Sequence, residues 1–239
     1  MYFLMNPSQM LTAVTERAAA IGGFTPFSSV DWPGMFAAVV FIEGCPWRCH
    51  YCHNPHLQVR DKLAPTYHWS ALLEFLKNRQ GLLDGVVFSG GEPLSDPRCL
   101  DMFSAVKRLG LKVAVHTAGM YPVRLQEALP NLDWVGLDIK TDAQAYDALT
   151  GFKKSATGVW RSLDVLLDGD VDFECRTTWS PDWLKESALL DLAQGLFSQG
   201  VRKYAIQRYR SNTSRHFCAD LSPELIHKLS QLFEKFSYR

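Results

Sequence analysis

The chain has 239 residues, with 25 Lys plus Arg against 25 Asp plus Glu and a formal net charge of zero. A 47% hydrophobic and 21% charged composition supplies a buried core and excludes a disordered chain or a coiled coil, and charge neutrality argues against a nucleic-acid partner. The longest apolar stretch, residues 36–42, falls far short of the roughly 20 residues that cross a bilayer, and no secretory pattern opens the sequence, so a cytoplasmic location without membrane contact is expected.

Residues 1–10 are expected to fray, with Met5 or Met10 as alternative starts. The stretch up to residue 35 mixes turn formers with aromatics and is expected to pack across one end of a sheet as an N-terminal extension. From residue 36 onward, short β-branched runs alternate with helical patterns, the signature of parallel strands joined by crossover helices. The predicted strands are residues 36–42, 85–89, 112–117, 134–139, 172–178 and 203–207. The predicted helices lie near 69–80, 98–109, 122–129, 157–168, 186–198 and 223–236. Asp96 before Pro97 and Ser222 before Pro223 read as helix starts. A βα unit takes about 30 residues, so the 204 residues from Phe36 to Arg239 hold about six units rather than eight. The fold class is α/β, an incomplete TIM-like barrel of the (β/α)6 kind. No linker or repeat divides the chain, so 1–239 is read as a single domain.

Directly after the first strand come Cys45-Pro46-Trp47-Arg48-Cys49-His50-Tyr51-Cys52-His53-Asn54-Pro55. Strand C-terminal ends are where α/β folds place their chemistry. Three thiolates spaced Cys-x3-Cys-x2-Cys supply three corners of a soft-metal site, and no fourth cysteine follows at a comparable spacing. Two donor sets satisfy that pattern. Zinc would take His50 or His53 as its fourth ligand. A 4Fe-4S cluster would leave one iron open to a substrate or cofactor. Cys99, Cys175 and Cys218 stand apart and read as small core residues. Trp47 is either a loop anchor or a cofactor contact.

The second strand ends in Ser89-Gly90-Gly91-Glu92-Pro93, where paired glycines permit a close backbone approach. Thr117, Asp138, Lys140, Arg176 and Gln207 mark later strand ends. Charges inside or ending apolar strands are costly unless paired or used, so Asp138, Lys140 and Arg176 form either a mutual salt bridge or part of a site.

The cysteine spacing with Tyr51 before its last member resembles the radical S-adenosylmethionine superfamily, and the Gly90-Gly91-Glu92-Pro93 run strengthens the likeness. With residues 28–34, His53-Asn54-Pro55, Asp138-Ile139-Lys140 and Arg176-Thr177-Thr178, the chain looks most like the activating enzymes of glycyl radical enzymes. Among these it is most similar to the anaerobic ribonucleoside-triphosphate reductase activating proteins. The resemblance implies that Cys45, Cys49 and Cys52 hold a 4Fe-4S cluster whose fourth iron binds S-adenosyl-L-methionine. It implies Tyr51 beside the adenine, and Gly90, Gly91 and Glu92 around the methionine amino group. Thr117, Asp138 and Lys140 would lie near the methionine moiety, and Arg176 and Gln207 near the cofactor. No catalytic side chain beyond cluster and cofactor is implied.

The implied reaction cleaves S-adenosylmethionine reductively to a 5′-deoxyadenosyl radical, which abstracts hydrogen from a glycine of the partner enzyme through a lateral barrel opening. An external electron donor such as a flavodoxin is implied, since no second cysteine cluster is present. The related pyruvate formate-lyase activators carry an aspartate where this chain has His116, so His116 stands as a candidate replacement for a monovalent cation. The basic stretch 202–215 is either a solvated face or a docking surface for the partner protein. Competing functions are a small-molecule radical enzyme such as 7-carboxy-7-deazaguanine synthase and a zinc-stabilised module without catalysis.

Overall fold

The computed structural model describes residues 18–60, 67–211 and 216–239. Residues 1–10 and Arg215, named above, lie outside the described residues. The chain divides into two compact units. The first comprises residues 1–45, 54–116 and 124–134, and the second residues 46–53, 117–123 and 135–239.

In the first unit the strands follow chain order: β1 (Ile21–Ser28), β2 (Ala37–Ile42), β3 (Gly85–Gly90) and β4 (Lys112–Thr117), the last contributing residues up to His116. β2, β3 and β4 are parallel, with Ile42 opposite Gly90 at the C-terminal ends. Helices α1 (Trp69–Lys77) and α2 (Arg98–Arg108) follow β2 and β3, and most of α3 (Pro122–Ala128) belongs here too. β2 and β3 are apolar and buried along nearly their whole length, as strands covered on both faces must be. Trp32, Ala37, Val39, Val87, Ala114 and Trp134 form one core, in which the two indoles stack at 6.2 Å.

The described part of the N-terminal extension, from residue 18, does not lie across a sheet end. Residues 21–28 run beside β2 as the antiparallel edge strand β1, with Thr25 opposite Val39. Gly22, Gly23 and Pro26 obscure the strand pattern in the sequence. The structure accommodates Pro26 where the register shifts between Thr25 and Ser28, on an edge strand where a missing amide is tolerated.

In the second unit, β5 (Trp134–Asp138, from Val135), β6 (Asp172–Trp179), β7 (Lys203–Arg208) and β8 (Lys235–Tyr238) again follow chain order. β6, β7 and β8 are parallel neighbours. Between them run α4 (Tyr146–Thr150), α5 (Ser155–Leu167), α6 (Glu186–Gln199) and α7 (Pro223–Leu232). The helix expected to reach residue 236 stops at Leu232, and residues 235–238 form β8 instead, placing Phe236 opposite Tyr204. Ser222 starts α7 as expected, its Oγ accepting from the Leu225 amide at 3.3 Å. The six predicted strands correspond to β2–β7 with ends within one residue. Among the described residues no helix is long and apolar enough to cross a membrane.

Candidate active site

In the first unit, the end of β2 and the start of the cysteine loop are fixed by backbone hydrogen bonds. The Gly44 amide donates to Leu57 O at 2.8 Å and the Cys45 amide to Gln58 O at 3.1 Å. From β3, the Gly91 amide donates to Ile42 O at 2.8 Å and the Glu92 amide to Gly44 O at 2.9 Å. The paired glycines therefore make a close backbone approach to the root of the cysteine loop. A Cβ on Gly90 would lie 2.5 Å from Ile42 backbone atoms, and Gly90 has φ +113; a Cβ on Gly91 would lie 2.6 Å from Gly44 O. No L side chain fits at either position without moving that root. Glu92 is fully buried, its Oε1 accepting from the Leu94 amide at 3.1 Å. Asn54 reaches Gly90 O from Nδ2 at 3.4 Å.

The 28–34 segment is locked to the same core. Ser28 Oγ accepts from the Val30 and Asp31 amides and contacts the Asp31 carboxylate, and Trp32 is buried. His116 Nε2 lies 2.8 Å from Asp31 O while its ring meets Trp134 edge-on. A carbonyl only accepts, so this nitrogen carries the proton and ties the segment to β4. His116 thus has a tethering role that the sequence comparison with a cation ligand did not reveal.

In the second unit, Cys49 and Cys52 close a turn in which the Cys52 amide donates to Cys49 O at 3.1 Å. The turn is anchored on both sides. Trp47 is buried and packs edge-on to Tyr146, as a loop anchor does, and the Arg48 amide donates to Thr150 O at 2.8 Å. Downstream, His53 stacks on Tyr209 at 5.5 Å with Nε2 on Arg210 O at 3.1 Å. Between the cysteines, Tyr51 lies parallel to Trp183 at 4.7 Å, and His50 meets both rings edge-on. His53 Nε2 is thus taken up by Arg210 O rather than presented to a zinc ion.

Asp138 at the end of β5, Lys140 just beyond it and Arg176 inside β6 are brought together. Arg176 donates from Nε and Nη2 to Asp138 Oδ1 at 2.9 and 2.7 Å, and Lys140 Nζ lies 3.6 Å from Oδ2. The mutual salt bridge anticipated as one alternative is present. Burial opposes the Lys140 charge, but Tyr51 and Asp138 outweigh it and raise the ammonium pKa. Lys140 Nζ also stands 5.7 Å from the Tyr51 ring centroid. Burial raises the Cys49 thiol pKa, with Lys140 pulling it back. Thr117 is buried and accepts from the Gly119 amide at 3.0 Å, and Gln207, next to last in β7, lies opposite Thr178.

None of the six cysteines forms a disulfide. Cys99 and Cys175 are core residues as expected, whereas Cys218 is only partly buried and donates to Trp179 O at 3.3 Å. Cys45, Cys49 and Cys52 are partly exposed. Among the described residues no three His, Cys, Asp or Glu side chains group as a site for a metal ion, so the donor set is recognised by its motif and chemistry. That set fits an iron–sulfur cluster: three thiols, a buried ammonium that acts on Cys49, and against the Tyr51 ring the buried Trp183 Nε1 without a hydrogen-bond partner. Trp183 and Tyr209 were not recognisable from sequence, because they arrive from the β6–α6 connection and the end of β7.

In the basic stretch, Lys203 pairs with Asp172, Arg208 with Asp220 and Arg202 with Glu234.

The chain matches the family model of the radical SAM superfamily over residues 39–178. It is 28% identical over 200 residues to a protein of Methanocaldococcus jannaschii named as a glycyl-radical enzyme activating enzyme, covering 80% of each chain. It is 39% identical over 127 residues to the pyruvate formate-lyase-activating enzyme of Clostridium pasteurianum, about half of each chain (51% and 53%). Its fold is similar to that of QueE from Escherichia coli, with a TM-score of 0.58 and 18% identity over 98% of this chain and 99% of that one. SuiB of Streptococcus suis bound to S-adenosylmethionine is similar at a TM-score of 0.61 and 12% identity, over 82% of this chain and 48% of that one. These neighbours share the α/β partial-barrel fold. The chain belongs to the radical SAM superfamily and is an enzyme of that family, whose cofactors are a 4Fe-4S cluster and S-adenosylmethionine.

Proposed function

We propose that this enzyme activates a glycyl radical enzyme, with anaerobic ribonucleoside-triphosphate reductase as its target. The observation that carries this reading is the likeness, over 80% of both chains, to a protein named as a glycyl-radical enzyme activating enzyme. The whole chain is read as one functional domain, working in the cytoplasm with a flavodoxin-type electron donor.

Cys45, Cys49 and Cys52 would hold the cluster. When bound, cluster and cofactor supply a 5′-deoxyadenosyl radical for hydrogen abstraction. This chain's residues then have positioning roles. Gly90 and Gly91 keep the loop root against β3 and, with Glu92, offer the strand end at which the methionine amino group would bind. Asp138 fixes Arg176 and Lys140, so that Lys140 offers a fixed positive charge to a carboxylate. Tyr51 presents a buried aromatic face, and Thr117 and Gln207 complete the polar strand ends.

The test is anaerobic turnover of S-adenosylmethionine with reductant, with and without the ribonucleotide reductase. Methionine release that accelerates with the reductase supports the reading. Release that ignores the reductase and instead accompanies conversion of a small molecule contradicts it.

A further inference from the structure

We propose that Trp183 is a positioning residue for the cysteine loop, acting through Tyr51 and His50. The inference rests on the reading of Cys45, Cys49 and Cys52 as cluster ligands. Both residues between Cys49 and Cys52 have their rings against one indole: Tyr51 parallel to it at 4.7 Å, His50 edge-on at 5.1 Å. Tyr209 closes the set, edge-on to Trp183 at 5.0 Å and to Tyr51 at 6.3 Å. The directions of the Cys49 and Cys52 side chains follow from the backbone of that two-residue spacer, and the spacer's side chains are clamped by Trp183.

The indole is itself held by a short, well-bonded connection. The Trp183 and Leu184 amides both donate to Ser180 O, at 3.3 and 3.1 Å. Trp179 Nε1 donates to Leu184 O at 2.8 Å, and Ser180 Oγ lies 3.1 Å from the Asp182 carboxylate. A brace of this kind restricts the spacer through its side chains.

The experiment compares Trp183→Phe, Trp183→Ala and the wild-type chain after anaerobic reconstitution with iron and sulfide. Iron release to a ferrous chelator and the electron paramagnetic resonance line shape of the reduced cluster are recorded well below the thermal transition of each protein. The Ala variant should release iron about threefold to tenfold faster, the range an aromatic pair is worth, and show a broadened signal. The Phe variant, which keeps a stacking ring, should restore both. Equal release and line shape in all three overturns the proposal, as does a Phe variant as defective as the Ala variant. If Trp183→Ala fails to fold, Trp183→Leu replaces it, since it keeps bulk but not the stack. A wild-type chain that takes up no iron removes the cluster reading and this proposal with it, whereas a loaded wild type with indifferent variants removes only the proposal.

Discussion

Gly91 is pressed onto Gly44: its amide bonds Ile42 O at 2.8 Å, and a Cβ on it would stand 2.6 Å from Gly44 O. The second strand end thereby sets the position from which the cysteine loop departs. The predicted consequence is that Gly91→Ala injures the loop as well as any ligand cradle. Overpacking of this kind costs about 1–3 kcal/mol, so denaturant unfolding should show that loss and reconstituted iron should fall with it. Full iron content with unchanged stability would contradict the contact.

The thiols divide by accessibility. Cys99 and Cys175 have no exposed surface, and burial raises both pKa values far above the ordinary thiol range. Iodoacetamide at mildly alkaline pH should modify Cys45, Cys49 and Cys52 in the iron-free folded protein and spare Cys99 and Cys175. Cluster loading should then protect the first three. Any of Cys45, Cys49 or Cys52→Ala should abolish the cluster, whereas Cys218→Ala should leave it intact; iron lost from Cys218→Ala would overturn the assignment.

Arg176 is nearly buried and has Asp138 as its anionic partner. Asp138→Asn removes the charge from two short hydrogen bonds, with an expected stability loss of about 1.5–3 kcal/mol, moderated by the partial exposure of Asp138. Urea unfolding of the iron-free protein measures it. S-adenosylmethionine affinity should fall as well, because Lys140 loses the anion that holds it. A stable variant with normal affinity would remove the pair from both roles.

Asp96 is buried at the start of α2. Burial favours its neutral form, but hydrogen bonds from the Arg98 side chain and amide, and the charges of Arg98 and Arg60, prevail and hold its pKa below the ordinary range. A carboxylate lowered on folding contributes stability above the unfolded pKa of about 3.9, and this is lost as pH falls through the folded value. Asp96→Asn should therefore weaken the protein at neutral pH and narrow its difference from wild type near pH 3 (roughly one unit below that reference). A difference that stays constant with pH would contradict the ion pairs.

Much of this arrangement was legible in the sequence because it rests on local patterns. The runs that became β2–β7 are short segments rich in apolar and β-branched residues, and Cys45, Cys49 and Cys52 are close enough in sequence to be seen as a set. What escaped depends on long-range pairing. β1 hides behind Gly22, Gly23 and Pro26, and gains strand character by pairing with β2. β8 continues a helical pattern, and gains strand character from β7. Trp183 and Tyr209 lie more than a hundred residues beyond Tyr51 and carry no motif, so only the fold reveals that they meet it. His116 was visible as a candidate, but its bond to Asp31 O was not.

The central claim is tested most directly by electron paramagnetic resonance on the partner protein. The reconstituted enzyme, S-adenosylmethionine, a one-electron reductant and anaerobic ribonucleotide reductase are incubated without oxygen, and the reductase is then examined for a radical. The account predicts a glycine-centred doublet that depends on all three loop cysteines. Cofactor cleavage with no radical on the reductase, together with conversion of a small molecule at a comparable enzyme concentration, would contradict it.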